Sequence, residues 1–327
     1  MSSNKPFKVL IAHTDVPPEG IEILKEKCEI LQVKSEPPNN RIEILEKIKG
    51  VHAAIWGGRD ILNAEVLDAA GPQFKAVSTM SSGINNVDVP ELKKRGIPLG
   101  STPAMLTVAV ADLAVGLLIA AARRFQEGRR KIDSDNWDND HLDWMLGQDI
   151  RDSTVGFYGF GGIGQAVAKR LLGFEIDRVL YTTRNRVSED IEKQLNATKV
   201  DFDTLLAESD FLVIASPLTK ETQGLFNATV FNKMKKTAVL VNVGRGKIVN
   251  QDDLYDALKS NRIFAAGLDV MDPEPLRSTD KLLALDNVVV TPHVGYATRR
   301  TRIDAATLAS KNILKGLAGE PMLSPAY

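Results

Sequence analysis

The chain has 327 residues, with 41 Lys plus Arg against 42 Asp plus Glu and a single cysteine; that length permits two domains with separate cores. Balanced charge with no basic run or acidic tail excludes a nucleic-acid surface as the leading expectation and favours a small-molecule enzyme. Cys28 has no intramolecular disulfide partner and reads as a small buried apolar residue, while the N-terminal apolar run is too short for a secretory signal, so a cytoplasmic protein without a membrane partner is expected.

In the first hundred residues, short β-rich runs alternate with amphipathic stretches. "KVLIA", "CEILQV", "HAAIW", "KAVSTM" and "IPLG" read as strands. Between them "GIEILKEK" and "RIEILEKIKG" place Ile21 and Leu24, and Ile42, Leu45 and Ile48, at helical spacing. Such alternation predicts parallel strands with crossover helices, an α/β layered domain. A long helix is expected from near Ala104 to about Arg130. Its apolar stretch, 108–122, is interrupted by Asp112 and falls short of the roughly 20 residues of a membrane span. It suits a domain or subunit interface and core burial equally well. The polar segment "DSDNWDNDHLDWMLGQDIRDS" then reads as an irregular excursion.

From Thr154 the alternation restarts. "TVGFYGF", "RVLYTT", "DFLVIAS", "TAVLVNV", "AAGLDV" and "NVVVTPH" predict six strands, one complete doubly wound nucleotide domain. A last helix is expected over 298–316, with no strand after it.

The run Gly159-Phe160-Gly161-Gly162-Ile163-Gly164 leaves one of these strands and enters a helix whose Ile163, Val167 and Leu171 share a face. Gly159 permits a tight turn, Gly161 lets backbone approach a pyrophosphate, and Gly164 lets helix and strand pack closely. The helix N-terminus offers N–H groups to the anion. About twenty residues on, where an NAD site places an acidic residue, the chain reads Thr182-Thr183-Arg184-Asn185-Arg186. No carboxylate stands there to repel a 2′-phosphate, and the arginines suit one, so NADPH is the expected cofactor, with NADH possible. No metal site is expected.

Three later blocks, "VNVGRGKIVNQDDL", "AGLDVMDPEPL" and "VVVTPHVGYAT", each set a polar residue just past a predicted strand: Arg245, Glu274 and His293. Ligands gather at the carboxyl ends of strands in such sheets. These blocks, with "SSGINNVD", "TVAVADLAVGLLIAAARR" and "GFGGIG" in the same order, resemble the D-isomer-specific 2-hydroxyacid dehydrogenase family over nearly the whole chain. Within it, the arginine-bearing loop and the "GEPM" ending look most like the glyoxylate/hydroxypyruvate reductases.

The resemblance implies two Rossmann/flavodoxin-like domains with a cleft between them: a discontinuous substrate domain (1–104 and 297–327) and a dinucleotide domain (105–296). It implies NADPH-dependent reduction of glyoxylate to glycolate and of hydroxypyruvate to D-glycerate by a homodimer. Arg245 would bind the ketoacid carboxylate, His293 would move the proton, and Glu274 would orient the imidazole. Ser82 and Gly83 would offer N–H groups to the substrate. Ser216, Pro217, Val243, Asp269 and Gly295 would surround the nicotinamide half of the cofactor. Asp112, where the family carries Glu, and Tyr296, where it carries a small residue, depart from the pattern. A 3-phosphoglycerate dehydrogenase or another 2-ketoacid reductase is the alternative within the class; a dinucleotide-sensing corepressor-like protein is the alternative outside it.

Overall fold

The computed structural model describes residues 6–35, 40–57, 60–137 and 141–327. Two units are distinguished: unit 1 takes the chain to Leu106 and resumes at Tyr296, and unit 2 is Thr107–Gly295.

Unit 1 holds β1 (Phe7–Ile11), α1 (Pro18–Lys25), β2 (Cys28–Gln32), α2 (Asn40–Lys47), β3 (Ala53–Trp56), α3 (Ala64–Ala70), β4 (Ala76–Thr79), α4 (Val89–Lys94) and β5 (Leu99–Gly100). The five strands are parallel in the order β2-β1-β3-β4-β5. β3 and β4 are buried along their whole length, the pattern of parallel strands covered on both faces. Asn63 and Asp88 cap α3 and α4 by accepting from Val66 N and Glu91 N. Of the stripe expected for α2, Ile48 just past its end is buried and Leu45 packs on the core, but Ile42 is 72% exposed and Ile44 takes the buried position instead.

Unit 2 contains most of α5 (Pro103–Ala122), then α6 (Phe125–Asp133). The single long helix expected here is broken. Arg124 takes a left-handed conformation (φ 55°) and starts α6, with its guanidinium bonded to Glu127 and to Leu146 O. α5 is long and apolar enough by composition to cross a membrane, but half of it is buried inside the protein, with Leu117 against the backbone of Gly267.

The remaining elements are β6 (Thr154–Tyr158), α7 (Gly162–Leu171), β7 (Arg178–Thr182), α8 (Glu189–Leu195), β8 (Ala197–Lys199), α9 (Phe202–Glu208), β9 (Phe211–Ile214), α10 (Ala228–Phe231), β10 (Val239–Asn242), α11 (Gln251–Lys259), β11 (Ala265–Leu268) and β12 (Val288–Val290). The sheet has seven parallel strands, not six, in the order β12-β11-β10-β9-β6-β7-β8. β8 is three residues long, too short to carry a hydrophobic period of its own. The chain starts at β6 in the middle, runs outward through β7 and β8, and returns to build the other side from β9. The order therefore reverses between β6 and β9, the switch point where doubly wound sheets open a crevice.

The last helix, α12 (Arg299–Leu317), is capped by Thr298 and belongs to unit 1. A Cβ added to Gly20 on α1 would lie 2.5 Å from the Ala306 Cβ, so only glycine permits this approach of the two helices. Ser310 Oγ donates to Gly20 O across the same contact.

Candidate active site

The glycine turn lies at the switch point of the unit 2 sheet. Gly159 follows β6 with φ 93°, and a Cβ added there would stand 2.7 Å from Ser216 N in the loop after β9. Both the dihedral and the contact require glycine. At Gly164 an added Cβ would be 2.6 Å from Gly159 O, so the first turn of α7 rests on the turn that feeds it. Gly161 is different: nothing lies within 4 Å of its Cβ position, and it caps α7 without a side-chain hydrogen bond. The N–H groups of Gly162, Ile163 and Gly164 belong to the first helical turn, where intrahelical acceptors are lacking. Ser216 Oγ, in the loop after β9 that meets Gly159, is buried with no hydrogen-bond partner among the described residues.

After β7 the loop carrying Arg184, Asn185 and Arg186 is exposed. Thr182 Oγ1 donates to Val200 O (2.9 Å) and Thr183 Oγ1 to Asn185 O (2.6 Å), fixing the chain by its own hydroxyls. The two arginines, given one role from sequence, have different surroundings: Arg186 is hydrogen-bonded to Glu192.

Three neighbouring strand ends carry the charged residues. At the end of β10, the buried Asn242 accepts from Gly244 N (3.0 Å) and donates to Arg245 O (3.1 Å), shaping the loop that presents Arg245. A Cβ added to Gly246 would fall 1.9 Å from Met271 O, so the backbone after Arg245 lies directly on the segment that leads to Glu274. Burial pushes the Arg245 guanidinium below its ordinary pKa, and the charge of Glu274 opposes that shift.

Glu274, past β11, uses its two oxygens differently. Oε1 accepts from Met271 N (3.1 Å), which orients the carboxyl group, and Oε2 lies 2.7 Å from His293 Nδ1. A carboxylate only accepts, so Nδ1 carries the proton of that bond and Nε2 is the nitrogen left for other chemistry. The His293 side chain is 39% exposed.

His293 itself has φ 55°, a left-handed backbone that is uncommon outside glycine. Asp269, 2% exposed at the end of β11, explains how it is held. Oδ1 accepts from Thr291 Oγ1 (2.6 Å) and Val294 N (2.8 Å), and Oδ2 accepts from Gly295 N (2.8 Å). Both oxygens thus bind the loop that bears the histidine.

Ser82 and Gly83 lie in unit 1, in the turn after β4, where Ser81 Oγ donates to Gly83 O (2.6 Å). Pro217 O accepts from Thr222 Oγ1 (3.0 Å), Val243 is buried, and a Cβ on Gly295 would press on Asp269 and Val110. Asp112 is paired with Arg170 (2.6 Å), and Tyr296 in unit 1 has the Arg302 guanidinium over its ring. Sequence reading missed Asn242, Thr291, Tyr181 and Glu192, whose partners lie on other elements. Among the described residues no group of three or more His, Cys, Asp or Glu is arranged to hold a metal.

The donors present suit a dinucleotide: a helix N-terminus behind an open glycine, an unpartnered buried hydroxyl, and basic residues after the second strand. Comparison with known proteins agrees. The family model "D-isomer specific 2-hydroxyacid dehydrogenase, NAD binding domain" matches residues 115–295. The chain is 44% identical over 311 residues to the glyoxylate reductase/hydroxypyruvate reductase of Homo sapiens, covering 94% of each. Among solved structures, a protein of Thermus thermophilus superposes with a TM-score of 0.87 at 35% identity, covering 98% of this chain and 100% of that one. The NADPH-dependent glyoxylate/hydroxypyruvate reductase of Sinorhizobium meliloti gives 0.81 at 28% identity, with 98% and 96% covered.

Proposed function

The chain belongs to the D-isomer specific 2-hydroxyacid dehydrogenase family, and from that premise we propose that it reduces glyoxylate to glycolate and hydroxypyruvate to D-glycerate, with NADPH as preferred cofactor. That it is an oxidoreductase using a nicotinamide dinucleotide follows from the family. The observation that carries the finer reading is the set Arg245, Glu274 and His293, with the Glu274–His293 hydrogen bond at 2.7 Å.

The residues from Gly159 to Gly164, with Ser216, would hold the dinucleotide, whose nicotinamide supplies a hydride to the substrate carbonyl carbon. The chain has to supply the rest: a site for a carboxylate, and a proton for the carbonyl oxygen. Arg245 offers a planar fork of donors matched to a carboxylate. His293 Nε2 gives the proton to the carbonyl oxygen, and takes it back in the oxidative direction. Glu274 accepts from Nδ1 throughout, so the imidazole presents Nε2 in one orientation. The preference for NADPH rests on the cationic loop after β7, where an NAD site would carry a carboxylate. Exposed Phe125, Ile132, Trp137, Leu142 and Leu146, on and after α6, support a homodimer.

Steady-state NADPH oxidation with hydroxypyruvate and glyoxylate, against pyruvate as comparator, tests the substrate reading. A kcat/KM for the first two at least about tenfold above that for pyruvate is expected, the scale of discrimination a pocket contact supplies. A preference for pyruvate would assign a different 2-ketoacid. Tight dinucleotide binding without turnover of any of them would leave a binding protein.

A further inference from the structure

Arg184 and Arg186 lie two residues apart on one exposed loop, yet only one has an uncommitted guanidinium. Arg186 Nε donates to Glu192 Oε1 (2.9 Å) and Oε2 (3.1 Å), and its Nη2 donates to Oε2 (2.8 Å). Glu192 sits on α8 with its side chain 9% exposed. Its Oε1 also accepts from the hydroxyl of Tyr181, a fully buried residue of β7 that stacks on Phe160 in the glycine turn. The same hydroxyl accepts from Val187 N (3.2 Å), at the far end of the loop. Arg186 and Tyr181 both hold the Glu192 carboxyl below the usual carboxylate range. The four groups close a circuit from strand to helix to loop and back to the strand.

The guanidinium of Arg184 enters no hydrogen bond or ion pair with the described residues. Its carbonyl accepts from Lys199 Nζ (3.3 Å), and its charge is felt by Glu221 in the loop after β9. Moving Arg186 onto an anion would strip a buried carboxylate of its main counter-charge, a loss that offsets the new contact. Arg184 carries no such penalty and can give its full donor set to a phosphate.

We propose that Tyr181 and Glu192 commit Arg186 to holding the 183–187 loop, a positioning role, and that discrimination for the 2′-phosphate of NADPH falls on Arg184. The proposal rests on the NADPH reading given above and divides between two arginines what the sequence assigns to both.

Dissociation constants for NADPH and NADH, measured by fluorescence on the full-length enzyme without ketoacid, test it. Arg184→Gln is expected to weaken NADPH about 10- to 100-fold, the worth of one or two charge-assisted hydrogen bonds, and NADH less than about twofold. Arg186→Gln is expected to weaken both dinucleotides by a common factor of about 3 to 10, leaving their ratio intact, and Glu192→Gln to weaken NADH by a like factor. For NADH the double variant is expected to be no worse than either single one, because the pair acts as a unit. Tyr181→Phe removes one hydroxyl and gives a milder change of the same kind if the charged variants fold poorly.

Collapse of the ratio in Arg186→Gln to the extent seen in Arg184→Gln would overturn the division of roles. Unchanged affinity for both dinucleotides in Arg186→Gln and Glu192→Gln would overturn the positioning role. Wild-type enzyme that binds NADH as tightly as NADPH would instead sink the NADPH reading itself, before any variant is compared.

Discussion

Asp269 binds a single loop through both carboxylate oxygens, and that loop carries the proposed proton donor with its backbone in the left-handed region. A non-glycine residue persists in that conformation only when its surroundings over-determine it. Here they do, because Thr291 before the histidine and Val294 and Gly295 after it are fastened to one buried group. In Asp269→Asn one oxygen becomes an amide nitrogen, which cannot accept, and a buried N–H or hydroxyl loses its partner at a cost of about 1–3 kcal/mol. A lower melting temperature is expected, with kcat down at least about tenfold as His293 loses its orientation. Wild-type kcat and melting temperature in that variant would show that the loop holds its shape without the carboxylate. Arg245, Glu274 and His293 stood out in the sequence because each is a charged or polar residue just past an apolar run. Asp269 did not announce this role, since its acceptor pattern depends on the fold of a segment more than twenty residues away. Glu192 was illegible for a related reason: on a polar helix it looks like any solvated glutamate, and only the buried hydroxyl of Tyr181 beneath it makes it different.

Among the elements, those with a clear hydrophobic period were readable and those set by one backbone dihedral were not. All five strands of unit 1 and six of unit 2 were visible as β-rich runs. β8 was not, because three residues paired at the sheet edge carry almost no pattern. The break between α5 and α6 follows from Arg124 adopting φ 55°, which nothing in a helix-favouring stretch foretells. The junction of β6 with α7 shows the opposite case, where the glycines spell out the geometry. A methyl group at Gly164 meets Gly159 O at 2.6 Å, and backbone must shift to admit it. Gly164→Ala is therefore expected to destabilise the protein by about 1–3 kcal/mol through overpacking. It should also weaken NADPH and NADH alike, because the displaced turn serves the part the two cofactors share. Thermal unfolding and dinucleotide binding check this; an unchanged melting temperature with unchanged affinities would mean the turn tolerates the side chain.

For the molecule as a whole, the α/β class and two parallel sheets followed from the alternation of apolar periods along the chain, and the sheet orders were fixed only by the structure. Unit 1 has its second strand at one edge, and unit 2 has its first strand in the middle, so similar local patterns build different topologies. The switch point between β6 and β9 gathers the glycine turn and Ser216, and the ends of β10, β11 and β12 carry Arg245, Glu274 and His293 in register beside it. The proposed role of His293, oriented by Glu274, is to move the proton in a ketoacid reduction. It is tested most directly by kcat with hydroxypyruvate, alongside the dissociation constant for NADPH, in wild type and His293→Ala. A fall in kcat of about 10²- to 10⁴-fold is expected, the usual worth of a positioned general acid, with NADPH affinity within about twofold of wild type. A variant that retains wild-type kcat, or that loses NADPH binding in the same proportion as turnover, would contradict it.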